Sequence, residues 1–379
     1  MNTEEINMKK TTVAVGMSGG VDSSVTALLL KKMGYNVIGM FMKNWEESAP
    51  DGICTTQADF DDVARVCEIL DIPYYRINFT KEYWDEVFCS FLQDLKSGLT
   101  PNPDVLCNQK IKFHFFLKKA LLLGADKLAT GHYAKISNGS LEKACDGNKD
   151  QTYFLYRIPK KQLQSVIFPL GDLTKQEVRD LAKRHNLPVH NKKDSTGICF
   201  IGKRNFKDFV QNYISPKSGN FVTLDGRKIG THAGACFYTI GQRKGLGIGG
   251  PGEAWFVAGK NMNTNEVYVV QGKDHPALFS DCLIAGNPHF IDMPLQKSFH
   301  CKAKIRYRQE DQPCKVITAE DGKLHVYFSL PQRAVTPGQS VVFYQGEKCL
   351  GGAVIEKQGP TYYEMGKYLH PEHAIQAED

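Results

Sequence analysis

The 379-residue sequence has no Cys-x-x-Cys pair despite its 11 cysteines, which argues against a zinc ribbon or a thioredoxin-type redox pair. It has no run approaching 18 apolar residues, so no membrane span is expected. The opening MNTEEINMKK lacks an apolar h-region and reads as a polar lead-in rather than a targeting peptide. A cytoplasmic setting with reduced thiols is therefore expected. Internal repeats and low-complexity tracts are missing too. Excess charge is small: +6 fits a generic basic surface or a face that grips phosphates equally well. What is present is 42% hydrophobic and 23% charged sequence, enough for real cores, over a length that suits two or three domains. Most of the cysteines are then expected to be buried small apolar side chains, and the question is which are not.

The first half alternates strand and helix patterns. TTVAVGM, YNVIGMFM and PYYRINF read as buried strands, and DKLATGHYAKI as a later one. SSVTALLLKKMG, ADFDDVARVCEILDI, KEYWDEVFCSFLQDLKSG and IKFHFFLKKALLLGA read as helices. TKQEVRDLAKRHNL opens with Thr174 and has Glu177 three residues on, the pattern of a capping box. This rhythm predicts a doubly wound α/β domain with a parallel sheet. After about residue 205 the texture changes to short β runs: FVTLDGRKIG, ACFYTIGQRKG, AWFVAGKNMNTNEVYVVQG, FHCKAKIRYR, CKVITAEDGKLHVYFS and QSVVFYQGEKCLGGAVI. Two small β-rich domains split near 280 are expected, giving boundaries of 1–205, 206–280 and 281–379, with a polar tail after Tyr368.

Between the first strand and the first helix stands Gly16-Met17-Ser18-Gly19-Gly20-Val21-Asp22-Ser23-Ser24. The glycines allow a tight turn and close approach to an anion, the helix start offers unpaired N–H groups, and the serines add donors. The segment lacks the Gly-Lys-Ser/Thr of a Walker loop, so no lysine of its own reaches the terminal phosphates, and it lacks a dinucleotide Gly-x-Gly-x-x-Gly. It resembles the SGGxDS loop of the PP-loop ATP pyrophosphatases, which implies ATP as cosubstrate. Asp22 either assists magnesium or caps the helix. On the same resemblance Met42 lies near the adenine, and Gly131 in ATGHY lets the backbone approach the nucleotide.

Cys107 lies in Thr100-Pro101-Asn102-Pro103-Asp104-Val105-Leu106-Cys107-Asn108. The two prolines predict an exposed turn, with the cysteine at the entry of a helix where the helix N-terminus, Lys110 and Lys112 favour a thiolate. Cys199 follows Asp194-Ser195-Thr196-Gly197-Ile198, a loop-like run. Its residues alone leave open a reactive thiol or one buried between Ile198 and Phe200.

SGGVDSS, NPDVLCN and DSTGICFIG, in that order along the chain, resemble the tRNA-specific 2-thiouridylases over nearly the whole chain. The resemblance implies ATP-dependent replacement of the C2 oxygen of the wobble uridine by sulfur, with Cys199 carrying a persulfide, Cys107 as nucleophile and Asp104 as general acid/base. It implies magnesium with the ATP, a sulfur-relay or cysteine desulfurase protein as persulfide donor, and tRNAs for Lys, Glu and Gln as partners. It also implies a last domain that is a tRNA-binding β-barrel. Asn102, Pro103 and Asp104 are implied to meet the target base, and His132, Lys149, Asp150, Gln151, Arg306, Tyr307 and Gln339 the rest of the tRNA. Alternation within KAKIRYR predicts Lys302, Lys304, Arg306 and Arg308 on one strand face, a stripe suited to phosphates. The basic glycine-rich loop Gly241–Gly247 grips phosphate or is a flexible turn. Three other readings stand beside this one. A PP-loop enzyme that adenylates a small metabolite explains the loop but neither cysteine; a non-catalytic RNA-binding protein explains the basic half but neither cysteine; a redox-regulated ATPase makes the pair only a switch.

Overall fold

The computed structural model describes residues 10–45, 55–193, 205–292 and 296–369. They fall into two compact units, 1–87 with 104–202 and 88–103 with 203–379.

The first unit is built on five parallel strands in the order β3-β2-β1-β4-β7: β1 Thr12–Met17, β2 Asn36–Lys43, β3 Tyr74–Asn78, β4 Lys127–Thr130 and β7 Val166–Ile167. Central parallel strands are covered on both faces, so β1 reads as an apolar run rather than an alternation, with Val13, Ala14, Val15 and Met17 all buried. Helices α1 (Val21–Lys32) and α2 (Thr55–Ile69) connect the first three strands. The core joins Val13 and Val15 to Val25, Leu28 and Leu30 of α1 and to Val63 and Val66 of α2. Gly39 of β2 is where α2 comes close: a Cβ there would lie 2.8 Å from the Cys67 sulfur.

A helical run, α3, comprises Thr80–Tyr83, Trp84–Phe88 and Cys89–Lys96; a second, α4, comprises Pro103–Leu106, Cys107–Phe116 and Leu117–Leu122. Each contains a stretch wound as π-helix. A small hairpin, β5 (Lys135–Ser137) with β6 (Ser140–Glu142), follows β4. DKLATGHYAKI is thus two strands, not one, interrupted at Gly131–Ala134. Helix α5 (Lys175–Arg184) has the predicted cap: Glu177 N–H donates to Thr174 Oγ1 at 3.3 Å, and Thr174 N–H donates to Glu177 Oε2 at 2.7 Å.

In the second unit, helix α6 (Phe206–Gln211) and residues 88–103 share an aromatic cluster. Phe88 lies 4.8 Å from Tyr213 and 6.0 Å from Phe209, and Phe91 lies 6.3 Å from Phe206, which explains why 88–103 groups with the β-rich half. A four-stranded sheet in the order β10-β11-β8-β9 comes next: β8 Gly219–Val222, β9 Lys228–His232, β10 Trp255–Asn261 and β11 Glu266–Gln271. Strands β12 (Phe279–Phe290), β13 (Ser298–Lys304), β14 (Gln312–Thr318), β15 (Leu324–Arg333), β16 (Ser340–Gln345) and β17 (Lys348–Gln358) run in the order β12-β15-β14-β13-β16-β17, and β12 pairs back onto β17. They form a closed six-stranded barrel filled by Leu283, Ile305, Val316, Val326, Phe343 and Ile355.

Two β expectations fail. ACFYTIGQRKG contains a 3-10 turn, Ala235–Phe237, and loop, with no strand. The strand in FHCKAKIRYR ends at Lys304, so Arg306 and Arg308 share no face with Lys302. Lys304 is itself buried, 3.7 Å from Asp311 and 5.4 Å from the Tyr344 ring centre, because that carboxylate and ring draw its ammonium inward. Among the described residues no helix is long and apolar enough to cross a membrane.

The capping box yields a stability test. Thr174→Ala removes the acceptor for the Glu177 amide and is expected to cost about 1 kcal/mol, while Thr174→Ser keeps most of it. A lowered urea midpoint of the first unfolding transition in the alanine variant checks this; an unchanged midpoint refutes it.

Candidate active site

Strand order places a switch point between β1 and β4, since the chain leaves β1 toward β2 on one side and reaches β4 on the other. Open α/β sheets bind ligands at such a point, beyond the carboxyl ends of the strands. The glycine–serine loop occupies it. Gly20 is the N-cap of α1 in extended conformation, and Gly19 has φ +73°, where a Cβ would lie 2.5 Å from the Asp59 carbonyl oxygen. The serines brace the turn: Ser18 N–H donates to Ser23 Oγ at 3.1 Å, Gly20 N–H to Ser18 Oγ at 3.3 Å, and the Ser23 and Ser24 hydroxyls to the Gly20 carbonyl at 3.2 and 2.9 Å. Gly16 and Met17 end β1, with Gly16 opposite Thr130 of β4; Val21 and Asp22 begin α1. Met42 lies near the carboxyl end of β2.

Gly131 follows β4 and passes directly against α1: a Cβ there would lie 2.8 Å from the Ser23 amide nitrogen and 2.9 Å from the Asp22 carbonyl carbon. His132 comes next and is buried. Its Nδ1 lies 2.7 Å from Thr130 Oγ1, and its Nε2 lies 3.4 Å from the Lys112 ammonium of α4. The ammonium has only hydrogens to offer, so Nε2 accepts and Nδ1 carries the proton toward Thr130. Burial, then the Lys112 charge, holds His132 well below the usual 6.5 and keeps it neutral.

Asp104 and Cys107 stand three residues apart in α4 and so share a helix face. Burial raises the Asp104 carboxyl above its ordinary range, with the Lys112 charge pulling it down. Cys107 is buried, not on the exposed turn expected of the proline-rich run: Pro103 opens a helix rather than delaying it, so Cys107 falls in the second turn, at the start of the π-wound segment. α4 reaches both strand ends, since Phe116 limits the space at Gly16 and Lys112 meets His132. Cys199 lies outside the described residues.

The remaining candidates are scattered. Asp150 is buried and spends its carboxylate locally, accepting from Ala144 N–H at 3.1 Å and Thr152 Oγ1 at 2.7 Å; Gln151 Oε1 accepts from Tyr133 N–H at 3.0 Å, and Lys149 beside them is half-buried. In the second unit, an Arg306 guanidinium nitrogen donates to the carbonyls of Ile240 and Ala334, both at 3.1 Å. Arg306 thereby pins the root of the Gly241–Gly247 loop, which Leu246 anchors by burial, so that loop is braced rather than loose. Tyr307 next to it is half-buried. Gln339 Nε2 donates to the Thr100 carbonyl at 2.8 Å, and Thr100 N–H donates to the Pro337 carbonyl at 2.9 Å, so a barrel turn fixes the loop leading into Asn102 and Pro103.

Three lysines escaped the sequence reading as members of the loop's surroundings. Lys112 couples Asp104 to His132. Lys192 donates to the Gly19 carbonyl at 3.0 Å, Asp59 at 2.8 Å and Asp62 at 2.6 Å, tying the loop to α2. Lys175 binds both Asp22 oxygens at 2.7 and 2.8 Å, and Tyr133 Oη donates to the same carboxylate at 2.9 Å. Long spacing, 130 to 173 residues, hid the Lys175 and Lys192 pairs, whereas Lys112 and His132 are 20 residues apart. Among the described residues no three His, Cys, Asp or Glu side chains gather as metal ligands.

A parallel sheet with this loop at its switch point defines a PP-loop chain of the HUP class, carried ahead of two β domains. The family models agree: "tRNA methyl transferase HUP domain" matches residues 11–203, "tRNA methyl transferase PRC-barrel domain" 207–271 and "Aminomethyltransferase beta-barrel domain" 280–355. The chain is 55% identical to a tRNA-specific 2-thiouridylase of Protochlamydia amoebophila over 94% of its own length and 96% of the relative's. It is 55% identical to that of Staphylococcus epidermidis (91% and 95%) and 54% identical to that of Staphylococcus saprophyticus (95% and 98%). The chain belongs to the tRNA-specific 2-thiouridylase family.

Two pH effects follow. An Asp104 with raised pKa loses its charge at a higher pH than an ordinary carboxylate. Lys112→Met removes the charge that opposes this and is expected to move the acid limb of the pH–rate profile upward; a limb that stays or moves down contradicts the coupling. His132 has its folded pKa well below 6.5, so the unfolded chain binds the proton first as pH falls. Its contribution to stability is complete above that value and is lost progressively on acidification. His132→Gln is expected to flatten the decline in melting temperature below about pH 6.5.

Proposed function

We propose that this chain transfers sulfur to the C2 position of the wobble uridine of tRNA at the expense of ATP. The carrying observation is that α4, the helix bearing Asp104 and Cys107, reaches the strand ends beside the glycine–serine loop, with Phe116 at Gly16 and Lys112 at His132. The relatives' shared name, at about 55% identity over nearly the full length, supports the uridine substrate and the thiolation.

In this reading Gly16, Met17, Ser18, Gly19, Gly20, Val21, Asp22 and Ser23 receive the phosphates of ATP at the start of α1, with Met42 and Gly131 toward the rest of the nucleotide. Loop amides braced by the serine hydroxyls fit an anion, and magnesium comes with the nucleotide, bound mainly through its phosphates. The uridine C2 oxygen attacks the α-phosphorus, and pyrophosphate leaves. Oxide is a poor leaving group; the adenylate lets that oxygen depart as part of AMP. Cys199 carries the persulfide. Either its terminal sulfur attacks C2 and Cys107 thiolate then takes the Cys199 sulfur, or Cys107 attacks first and releases hydrosulfide to attack C2. Both routes end in 2-thiouridine, AMP and a Cys107–Cys199 disulfide, which a thiol reductant must reopen. Asp104, with a pKa nearer the working pH than a free carboxyl, moves the proton. Asn102, Pro103 and Asp104 receive a base splayed from the anticodon loop, which costs less than extraction from a duplex. His132, Lys149, Asp150, Gln151, Arg306, Tyr307 and Gln339 are assigned to tRNA contact, directly or by holding contacting loops. Functional domains at 1–205, 206–280 and 281–379, a cytoplasmic setting, a persulfide donor protein and Lys, Glu and Gln tRNAs complete the proposal.

The test is sulfur incorporation into an unmodified anticodon stem-loop, followed with AMP and pyrophosphate release. Wild-type protein is expected to make 2-thiouridine only with both ATP and a persulfide source. Cys107→Ser and Cys199→Ser are each expected to lower incorporation by roughly a thousandfold or more. Failure of wild type to cleave the α–β bond when given RNA and persulfide would overturn the proposal, and undiminished sulfur transfer by either serine variant would overturn the cysteine scheme.

A further inference from the structure

The nucleotide loop has no lysine of its own, yet the fold delivers one to it. Lys175 is the first residue of α5, and its position is fixed three ways: by the Thr174–Glu177 capping box, by its own N–H donating to Asp146 Oδ2 at 2.9 Å, and by its ammonium on Asp22. The ammonium lies 5.9 Å from the centre of the Tyr133 ring, whose hydroxyl also serves Asp22. Asp22 is the second residue of α1, so this carboxylate stands in the first helical turn, beside the amides that would receive an anion.

The charges around the loop make the arrangement informative. Among the described residues Asp22 is met by Lys175, and Asp59 and Asp62 by Lys192, with Arg65 also on Asp62. Lys192 is committed to Asp59, Asp62 and the Gly19 carbonyl and holds the loop in shape. Left alone, Asp22 would repel a polyphosphate from the helix start. The Lys175 ammonium cancels that charge at contact distance while the pair stays partly open, its side chains 12% and 31% exposed.

We propose that Lys175 is the phosphate-contacting cation of this loop, held by Asp22 and Tyr133 so that its ammonium meets the pyrophosphate portion of ATP. It does from α5 what a Walker loop does with a lysine of its own. A lysine is suited to this as a compact charge with three donors, able to keep one on Asp22 and turn others to phosphate oxygens. The inference rests on the reading of the loop as an ATP site.

Direct binding separates the two. Lys175→Gln is expected to weaken ATP and inorganic pyrophosphate by about tenfold or more while AMP changes by less than about twofold, and Lys175→Arg is expected to keep most of the affinity. A merely structural lysine would weaken ATP and AMP together and lower the melting temperature, and that pattern overturns the proposal. Wild-type protein supplies a reading independent of any variant: amine acylation at Lys175, followed by peptide mass spectrometry, is expected to be suppressed by ATP and by pyrophosphate but not by AMP. Equal labelling in all three overturns the proposal even if K175Q does not fold. Wild-type protein that bound no ATP would sink the adenylation reading and this proposal with it, whereas K175Q binding ATP as tightly as wild type sinks this proposal alone.

Discussion

Everything at the first unit's active edge depends on one close approach, that of the backbone after β4 to the first turn of α1. A Cβ at position 131 would lie inside contact distance of the Ser23 amide nitrogen. Glycine removes the obstacle, and two consequences follow. The strand end sits against the helix start, so the residues that come next, His132 and Tyr133, are delivered beside the loop. Tyr133 can then donate to Asp22, and His132 can meet Lys112 of α4. The sheet edge, the glycine–serine loop and α4 thus come together where a side chain is missing.

Around that contact the structure manages charge by pairing and by burial. Lys175 and Lys192 each reach the loop from far along the chain and each lands on carboxylates. Lys112 does something different: burial chiefly keeps His132 neutral, the Lys112 charge adds to that, and the same charge favours ionised Asp104. A neutral imidazole tied to Thr130 is not a second cation beside the half-buried carboxyl. A carboxyl whose affinity for its proton is raised by burial and trimmed by a neighbour is better suited to carry a proton than one with the ordinary pKa.

Much of this was legible in the sequence because the signals are local. SGGVDSS announces its turn and helix start within seven residues, and Thr174 with Glu177 announces a cap within four. Asp-Gly turns located the hairpins at 225 and 321 correctly. The failures are where a tertiary partner overrides a local pattern. Alternation in KAKIRYR promised a basic stripe, but Asp311 and Tyr344 draw Lys304 inward and the strand stops before Arg306, whose guanidinium is spent on two carbonyls. The prolines before Cys107 promised exposure, but proline at a helix's first position starts the helix instead, and the helix buries the thiol. Lys175 was invisible as a partner of Asp22 because nothing across a separation of 153 residues marks it.

Cysteine chemistry shows how such partners matter. On the proposed persulfide reading, keeping the other thiols protonated limits side reactions, since the thiolate is the reacting form. Burial does this for Cys67, pushed up to about 12 with help from the neighbouring Glu68 charge, and also raises Cys236 and Cys282. Cys301 is raised too, chiefly by its contact with Cys314, its partner on the neighbouring strand. Cys107 is buried as well, so burial alone does not mark it. On α4 it stands one turn from Asp104, while Lys110 of the same helix pairs with Glu86 at 3.3 Å and Lys112 meets His132. In the sulfur-transfer reading proposed above, that neighbouring carboxyl, with its affinity for a proton raised by burial, is what sets Cys107 apart from the other buried thiols.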